Sequence, residues 1–219
     1  MKIKSIFLSL ASLLLISQSY AQEKNYELYG NLGYTHLNGF SFTKTSKVMN
    51  SFSGLNLGLS GLYNLDTNSL ISPVLGLSLN SIFTKNSNSV NNENISGSFN
   101  YFATTALAGV KVRYFTNMPL YFLLNLGYSP TNNLSFSGDN SESYTTKSLA
   151  ENSFNIRNHY FYGATVMSTY NLNDSFSLGG SLSYNRHTMD LEFETPPEKV
   201  TERSGFNEYS LSLIAMWSF

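Results

Sequence analysis

Cysteine is absent from this 219-residue chain, so neither a disulfide framework nor a thiolate metal site can be built. Charge is scarce: charged residues make up 12%, with Lys+Arg 13 against Asp+Glu 14. There is no basic field of the kind that nucleic acid requires, and none is expected as a partner. Tryptophan occurs once. Beyond residue 21 there is no uninterrupted apolar run long enough for a membrane-spanning helix. What is plentiful is aromatic side chain, 15 Tyr and 16 Phe, which suits a protein needing rings at two interfaces.

The amino terminus has its own layout. Lys2 and Lys4 precede an apolar run from Ile6 to about Ile16, and Ser19-Tyr20-Ala21 offers small residues at the −3 and −1 positions of a cut before Gln22. That is the pattern of a secretory signal peptide, so residues 1–21 are expected to be removed and residues 22–219 to form one domain. Without Lys2 and Lys4 the chain holds 11 basic groups against 14 acidic, a net charge of −3.

The rest alternates with period two. Tyr209, Leu211, Leu213, Ala215, Trp217 and Phe219 share one face of the last segment, opposite Ser210, Ser212 and Ser218. Successive side chains point to opposite faces of a strand, so this strand is greasy on one side and mainly polar on the other. Similar segments are expected at about 25–37, 52–63, 70–83, 99–115, 120–129, 153–170 and 175–189, eight strands in all. Their connections alternate in length. Asn64–Ser69, Thr116–Pro119 and Asn171–Asp174 are short and turn-like, whereas 38–51, 84–98, 130–152 and 190–204 are long and polar. Tyr26, Tyr63, Tyr114, Tyr170, Phe176, Trp217 and Phe219 fall near the short-turn rim. Tyr34, Phe83, Tyr128, Tyr160, Tyr184 and Tyr209 fall toward the other rim. Open strands would leave amides unpaired in lipid, so the expected fold is all-β: an eight-stranded antiparallel up-and-down transmembrane β-barrel.

With these features in place, residues 22–219 resemble the small OmpA/OmpX-like outer-membrane barrels. The resemblance implies insertion in the outer membrane of a Gram-negative bacterium, among its lipid and lipopolysaccharide. It also implies recognition of Tyr209, Leu211, Leu213, Ala215, Trp217 and Phe219 by the barrel-assembly machinery. A structural or adhesin-like role through long surface loops follows, with a host or cell-surface ligand as partner and a monomeric state. The alternative is a narrow passage or pocket for a small hydrophobic solute, as in OmpW-like relatives.

The alternation also fills the lumen. Tyr29, Leu107, Tyr121, Leu123, Phe161, Met167, Ile214 and Met216 should project inward and oppose a wide aqueous pore. Inward charges need partners, so two lumenal clusters are expected: Glu27 with Lys111 and Arg113, and Glu208 with Arg157. No catalytic site, metal or cofactor is expected. Asn185-Arg186-His187-Thr188-Met189 invites comparison with lipid A deacylases, in which a nucleophilic Ser follows the His by two residues; here that position is Met189. Residues 188–194 and 198–206 flank Thr195-Pro196-Pro197 and suit a raised hairpin open to strand addition. The tract Lys85–Asn94 is expected to be a mobile polar tether.

Overall fold

Period-two patterning carries through eight strands: β1 (Tyr26–Asn38), β2 (Ser51–Asn64), β3 (Ile71–Val90), β4 (Glu93–Phe115), β5 (Met118–Gly138), β6 (Phe154–Asn171), β7 (Phe176–Thr195) and β8 (Glu198–Ser218). The computed structural model describes residues 25–40, 51–90, 93–115, 117–138, 154–195 and 198–219. The expected signal peptide, residues 1–21, lies outside them. Each strand pairs antiparallel with the next, and β8 returns to β1, giving a closed barrel. The chain ends seal the seam, because Phe219 N–H donates to Tyr26 O at 2.8 Å and Tyr26 N–H donates to Phe219 O at 3.3 Å.

The two faces of the wall separate as the alternation requires. Leu57, Leu77, Leu124, Leu211 and Leu213 stand on the outside, Leu213 at 73% exposure. Burying one such side chain is worth about 1.5–3 kcal/mol, so a wall of them demands a nonaqueous surround. Aromatic pairs bracket this band. Tyr26 lies across from Tyr63 (4.9 Å) and Phe176 from Trp217 (5.1 Å) near the short turns. Tyr128 meets Tyr160 (5.1 Å) and Tyr184 meets Tyr209 (5.2 Å) at the other level. From Trp217 to Tyr209 is roughly 27 Å of strand, and the usual tilt reduces that to ~20 Å of height, close to the apolar band of an outer-membrane barrel.

The strands continue where long polar loops were expected. β3 and β4 remain paired to Val90↔Glu93, β4 and β5 to Ile95↔Gly138, and β7 and β8 to Thr195↔Glu198. Along the upper parts of β3, β4 and β5 mainly polar residues gave no alternation to read, whereas 188–194 and 198–206 pair as the hairpin that their alternation suggested. Above the membrane neither face needs to be apolar, and a ladder can persist on backbone hydrogen bonds alone. The tract Lys85–Val90 is therefore strand rather than tether. Residues 41–50 and 139–152, within the expected loops 38–51 and 130–152, lie outside the described residues.

Two irregularities shape the rim. β5 shifts register against β4 around Ser129-Pro130, where proline cannot donate to the ladder, and β6 shifts against β7 at Asn158, whose φ is 50°. The β5–β6 ladder ends between them at Ser129↔His159, and the β8–β1 ladder ends at Asn38↔Asn207. Above those levels the described wall divides into two groups of three strands, β3–β4–β5 and β6–β7–β8.

Candidate functional site

The lumen is the site, and it is stratified. Toward the long-hairpin rim lies an apolar cluster containing Leu37, Phe40, Phe52, Ile82, Phe99, Phe161, Met189, Leu191 and Phe206. Toward the short turns lies a second, with Tyr29, Leu62, Val74, Leu107, Tyr121, Leu123, Met167, Ile214 and Met216. All eight apolar residues expected inside the barrel are buried there. Gly127 makes one of these placements possible, since a Cβ there would collide with the Phe161 ring. Between the clusters is a chamber of about 70 Å³ bordered by Asn56, Ser78, Asn125, Ser183, Asn185 and Ser212, among others. That is room for ~5 waters, too little for a continuous channel.

The upper cluster contains one ring that no strand carries. Phe40 follows Gly39, whose φ of 78° is a left-handed turn suited to glycine, and drops into the mouth from the end of β1. It stacks on Phe206 at 4.4 Å and meets Phe52 (5.1 Å) and Phe99 (5.6 Å) edge-on. These are favourable aromatic geometries, and Phe40 is 3% exposed.

Below this plug runs a polar chain. Asn132 Oδ1 faces His159 Nδ1 at 2.5 Å, His159 Nε2 faces His187 Nδ1 at 2.8 Å, and His187 Nε2 faces Glu208 Oε2 at 2.8 Å. Tyr101 donates to Glu208 Oε2 at 2.6 Å, and Ser210 donates to Oε1 at 2.8 Å. The chain continues from Ser210 to Thr35 (2.6 Å), and Asn56 Nδ2 donates to Thr35 Oγ1 (2.8 Å). Hydrogen-bond counting fixes its charge. With Asn132 accepting, His159 Nδ1 carries a proton, and with that ring neutral its Nε2 accepts and His187 Nδ1 donates. One further proton is then needed between His187 Nε2 and Glu208. Wherever it resides, imidazolium with carboxylate or imidazole with carboxylic acid, the His187–Glu208 pair is neutral overall. A neutral, fully bonded pair is what a buried site tolerates.

At the short-turn end the lock is different. Lys111 Nζ pairs with Glu27 Oε1, to which Tyr121 also donates at 3.0 Å, and the ammonium lies 5.2 Å from the Tyr121 ring centre. Beyond it a vestibule of about 860 Å³ opens among Thr67, Arg113, Asn117 and Asn173. At its rim Asp66 accepts from the Ser69 hydroxyl and the Asn68 N–H, which hold its carboxyl below the ordinary carboxylate range.

The expected charge clusters are therefore partly rearranged. Lys111 is on Glu27, but Arg113 turns to the carbonyls of Thr67 and Asp66 (3.1 Å for the latter) and ties down the β2–β3 turn. Arg157 does not meet Glu208. The Asn158 bulge inverts the alternation before it, so Arg157 faces outward and pairs with Glu192 at 3.1 Å. His187 takes the place on Glu208 expected for Arg157. His159 points inward and meets His187, Tyr101 and Asn132, a grouping that no spacing along the chain announces. Those partners lie on β4, β5 and β7, and barrel shear decides which of them share a level. In the terminal segment, Tyr209, Leu211, Leu213 and Trp217 are exposed on the outer face, with Ala215 and Phe219 half-buried.

His187 is sandwiched between Phe206 (4.3 Å, 10°) and Phe161 (4.6 Å, 24°). Both ring nitrogens are engaged by His159 and Glu208, and Met189 is packed in the upper apolar cluster, so the region presents no Ser-type nucleophile to His187. Among the described residues no group of three His, Asp or Glu side chains is arranged to hold a metal.

The fold is shared with known barrels. It matches the crystal structure of Neisserial surface protein A with a TM-score of 0.55 and 13% identity, covering 89% of this chain and 97% of that one. It matches outer membrane protein OprG from Pseudomonas aeruginosa with a TM-score of 0.53 and 11% identity, covering 90% and 97%. No family model matches the sequence, and no curated protein matches it. Closed topology, a leucine wall and two aromatic levels define an integral outer-membrane β-barrel of the small eight-stranded class. These likenesses support that broader class rather than the narrower OmpA/OmpX-like group.

Proposed function

We propose that the barrel captures a small apolar solute in its outer mouth, the long-hairpin end facing the cell exterior. The observation that carries this reading is the aromatic basin of Phe52, Phe99 and Phe206, filled from a loop by the Phe40 ring. A ring that enters from the end of a strand can leave without breaking the wall, and an apolar cavity left behind would favour an apolar ligand over water. The polar chain beneath then forms the floor, so a solute proceeds only if that chain rearranges. In proteoliposomes, the fluorescent apolar probe N-phenylnaphthylamine should bind the wild type, and Phe40→Ala should strengthen binding severalfold. Equal, negligible binding by both proteins would refute the reading.

The β7–β8 hairpin favours a second role, surface interaction. Among the described residues β8 has no β1 partner beyond Asn207, and an edge of this kind suits strand addition by another protein. Deleting residues 190–203 should abolish adhesion to a host surface while the barrel stays folded; undiminished adhesion would exclude the hairpin. In this scheme the outward residues Tyr209, Leu211, Leu213, Ala215, Trp217 and Phe219 serve insertion by the assembly machinery, and the barrel acts as a monomer without a cofactor.

A further inference from the structure

The outer wall carries an apolar groove of about 570 Å³ just below the long-hairpin rim, bordered by Tyr34, Ala164, Val166, Tyr184, Tyr209 and Leu211. A barrel wall is normally convex. Here the small side chain of Ala164 sits among larger neighbours, and the hollow crosses the adjacent strands β6, β7, β8 and β1. Three strand spacings make it roughly 14 Å wide, room for several acyl chains side by side.

A polar row caps the groove. Arg186 lies two residues beyond Tyr184, Asn207 two before Tyr209, and His36 two beyond Tyr34. Arg186 Nη1 donates to Asn207 Oδ1 at 2.9 Å, the Tyr184 hydroxyl donates to the same oxygen at 3.0 Å, and Asn207 Nδ2 donates to Asn38 Oδ1 at 3.4 Å. His36 Nδ1 lies 2.7 Å from Ser53 Oγ, and Lys85 follows in the same register row. The other described arginines are differently employed. Arg157 and Arg203 meet the carboxylates of Glu192 and Asp190, and Arg113 meets backbone carbonyls. Arg186 alone among them is oriented by a neutral amide, so its charge is positioned but not neutralised.

We infer that this groove and its Arg186–His36 cap form a binding site for a phosphorylated, multiply acylated glycolipid of the outer leaflet. Its chains would lie in the groove, and a phosphate would receive the remaining guanidinium donors of Arg186, a geometry that favours bidentate contact. The width across four strands favours a many-chained lipid over a two-chained phospholipid. The leaflet follows from the orientation assigned above, but the chemistry of the site does not depend on it.

The test uses the full protein in detergent, with lipid retention read by native mass spectrometry and stability by the heat-modifiable gel shift. Bis-phosphorylated lipid A should be retained and raise the unfolding temperature. Arg186→Gln should weaken retention roughly tenfold, the scale of one lost charge-assisted hydrogen bond. Ala164→Trp, which fills the groove and keeps the arginine, should weaken it comparably, whereas Arg203→Gln should leave it unchanged. Dephosphorylated lipid A and phosphatidylglycerol should bind poorly. Equal retention by wild type and folded Arg186→Gln would overturn the inference, as would equal binding of phosphatidylglycerol. Neither outcome bears on apolar probe binding in the mouth, which Phe40→Ala tests separately.

Discussion

The two ends of the lumen solve the same problem differently. Each buries a glutamate next to a tyrosine hydroxyl and an apolar cluster, Glu27 with Tyr121 at one end and Glu208 with Tyr101 at the other. At the short-turn end the partner is Lys111, a fixed charge, and the apolar residues of that cluster all sit on strands. At the other end the partner is His187, whose proton count makes the pair neutral, and one plug residue, Phe40, hangs from a loop. The first arrangement is a permanent seal. The second can lose a ring, and it can shift a proton along a chain of hydrogen bonds without exposing a charge.

The largest expected effect is at the fixed pair. Lys111→Met strands the Glu27 carboxylate, which is 2% exposed, and should cost ~3–5 kcal/mol. Urea unfolding in vesicles, followed through the fluorescence of Trp217, would measure it. A loss below ~1 kcal/mol would mean that the vestibule hydrates Glu27 and the two ends are less different than they look.

Next are the plugs themselves. Leu123→Ala in the strand-borne cluster should cost ~2–5 kcal/mol, because the rigid wall around it can collapse little. Phe40→Ala removes a larger side chain yet should cost only ~1–2 kcal/mol, since Phe40 lies beyond the last paired residue of β1 and the opened mouth can fill from outside. If unfolding experiments rank the two in reverse, Phe40 is structural core and the outer plug is as permanent as the inner one.

The smallest effect should fall on Glu208→Gln, about 1 kcal/mol or less. The amide nitrogen can donate one proton to His187 Nε2 and the other to the Tyr101 oxygen while its oxygen accepts from Ser210, so the chain stays connected and only the Tyr101 proton loses its acceptor. A cost approaching that of Lys111→Met would show instead that Glu208 must carry a charge.

Much of the barrel could be read from the chain. The alternation that puts Leu57, Leu124 and Leu213 outside and Tyr29, Tyr121 and Met216 inside follows from the two-residue period of a strand. Glu27 and Lys111 could be matched because regular alternation put both inside and near the same rim. Arg157 could not be placed, because nothing in the residues before His159 announces the bulge at Asn158, and one inserted residue reverses every face beyond it. The β7–β8 hairpin left a mark, because Met189 and Leu191 alternate with Asp190 and Glu192. The upper β3–β4 and β4–β5 ladders could not be distinguished from loops, since backbone pairing there leaves no such alternation.

The sequence by itself determined which face of each strand meets lipid, and hence the class of fold, because lipid imposes a strict binary pattern at every second residue. Only the tertiary structure decided which inward side chains meet. His159, His187, Tyr101 and Glu208 come from four strands, and their level in the barrel is set by strand stagger and two bulges, quantities that belong to the closed sheet rather than to any segment of it.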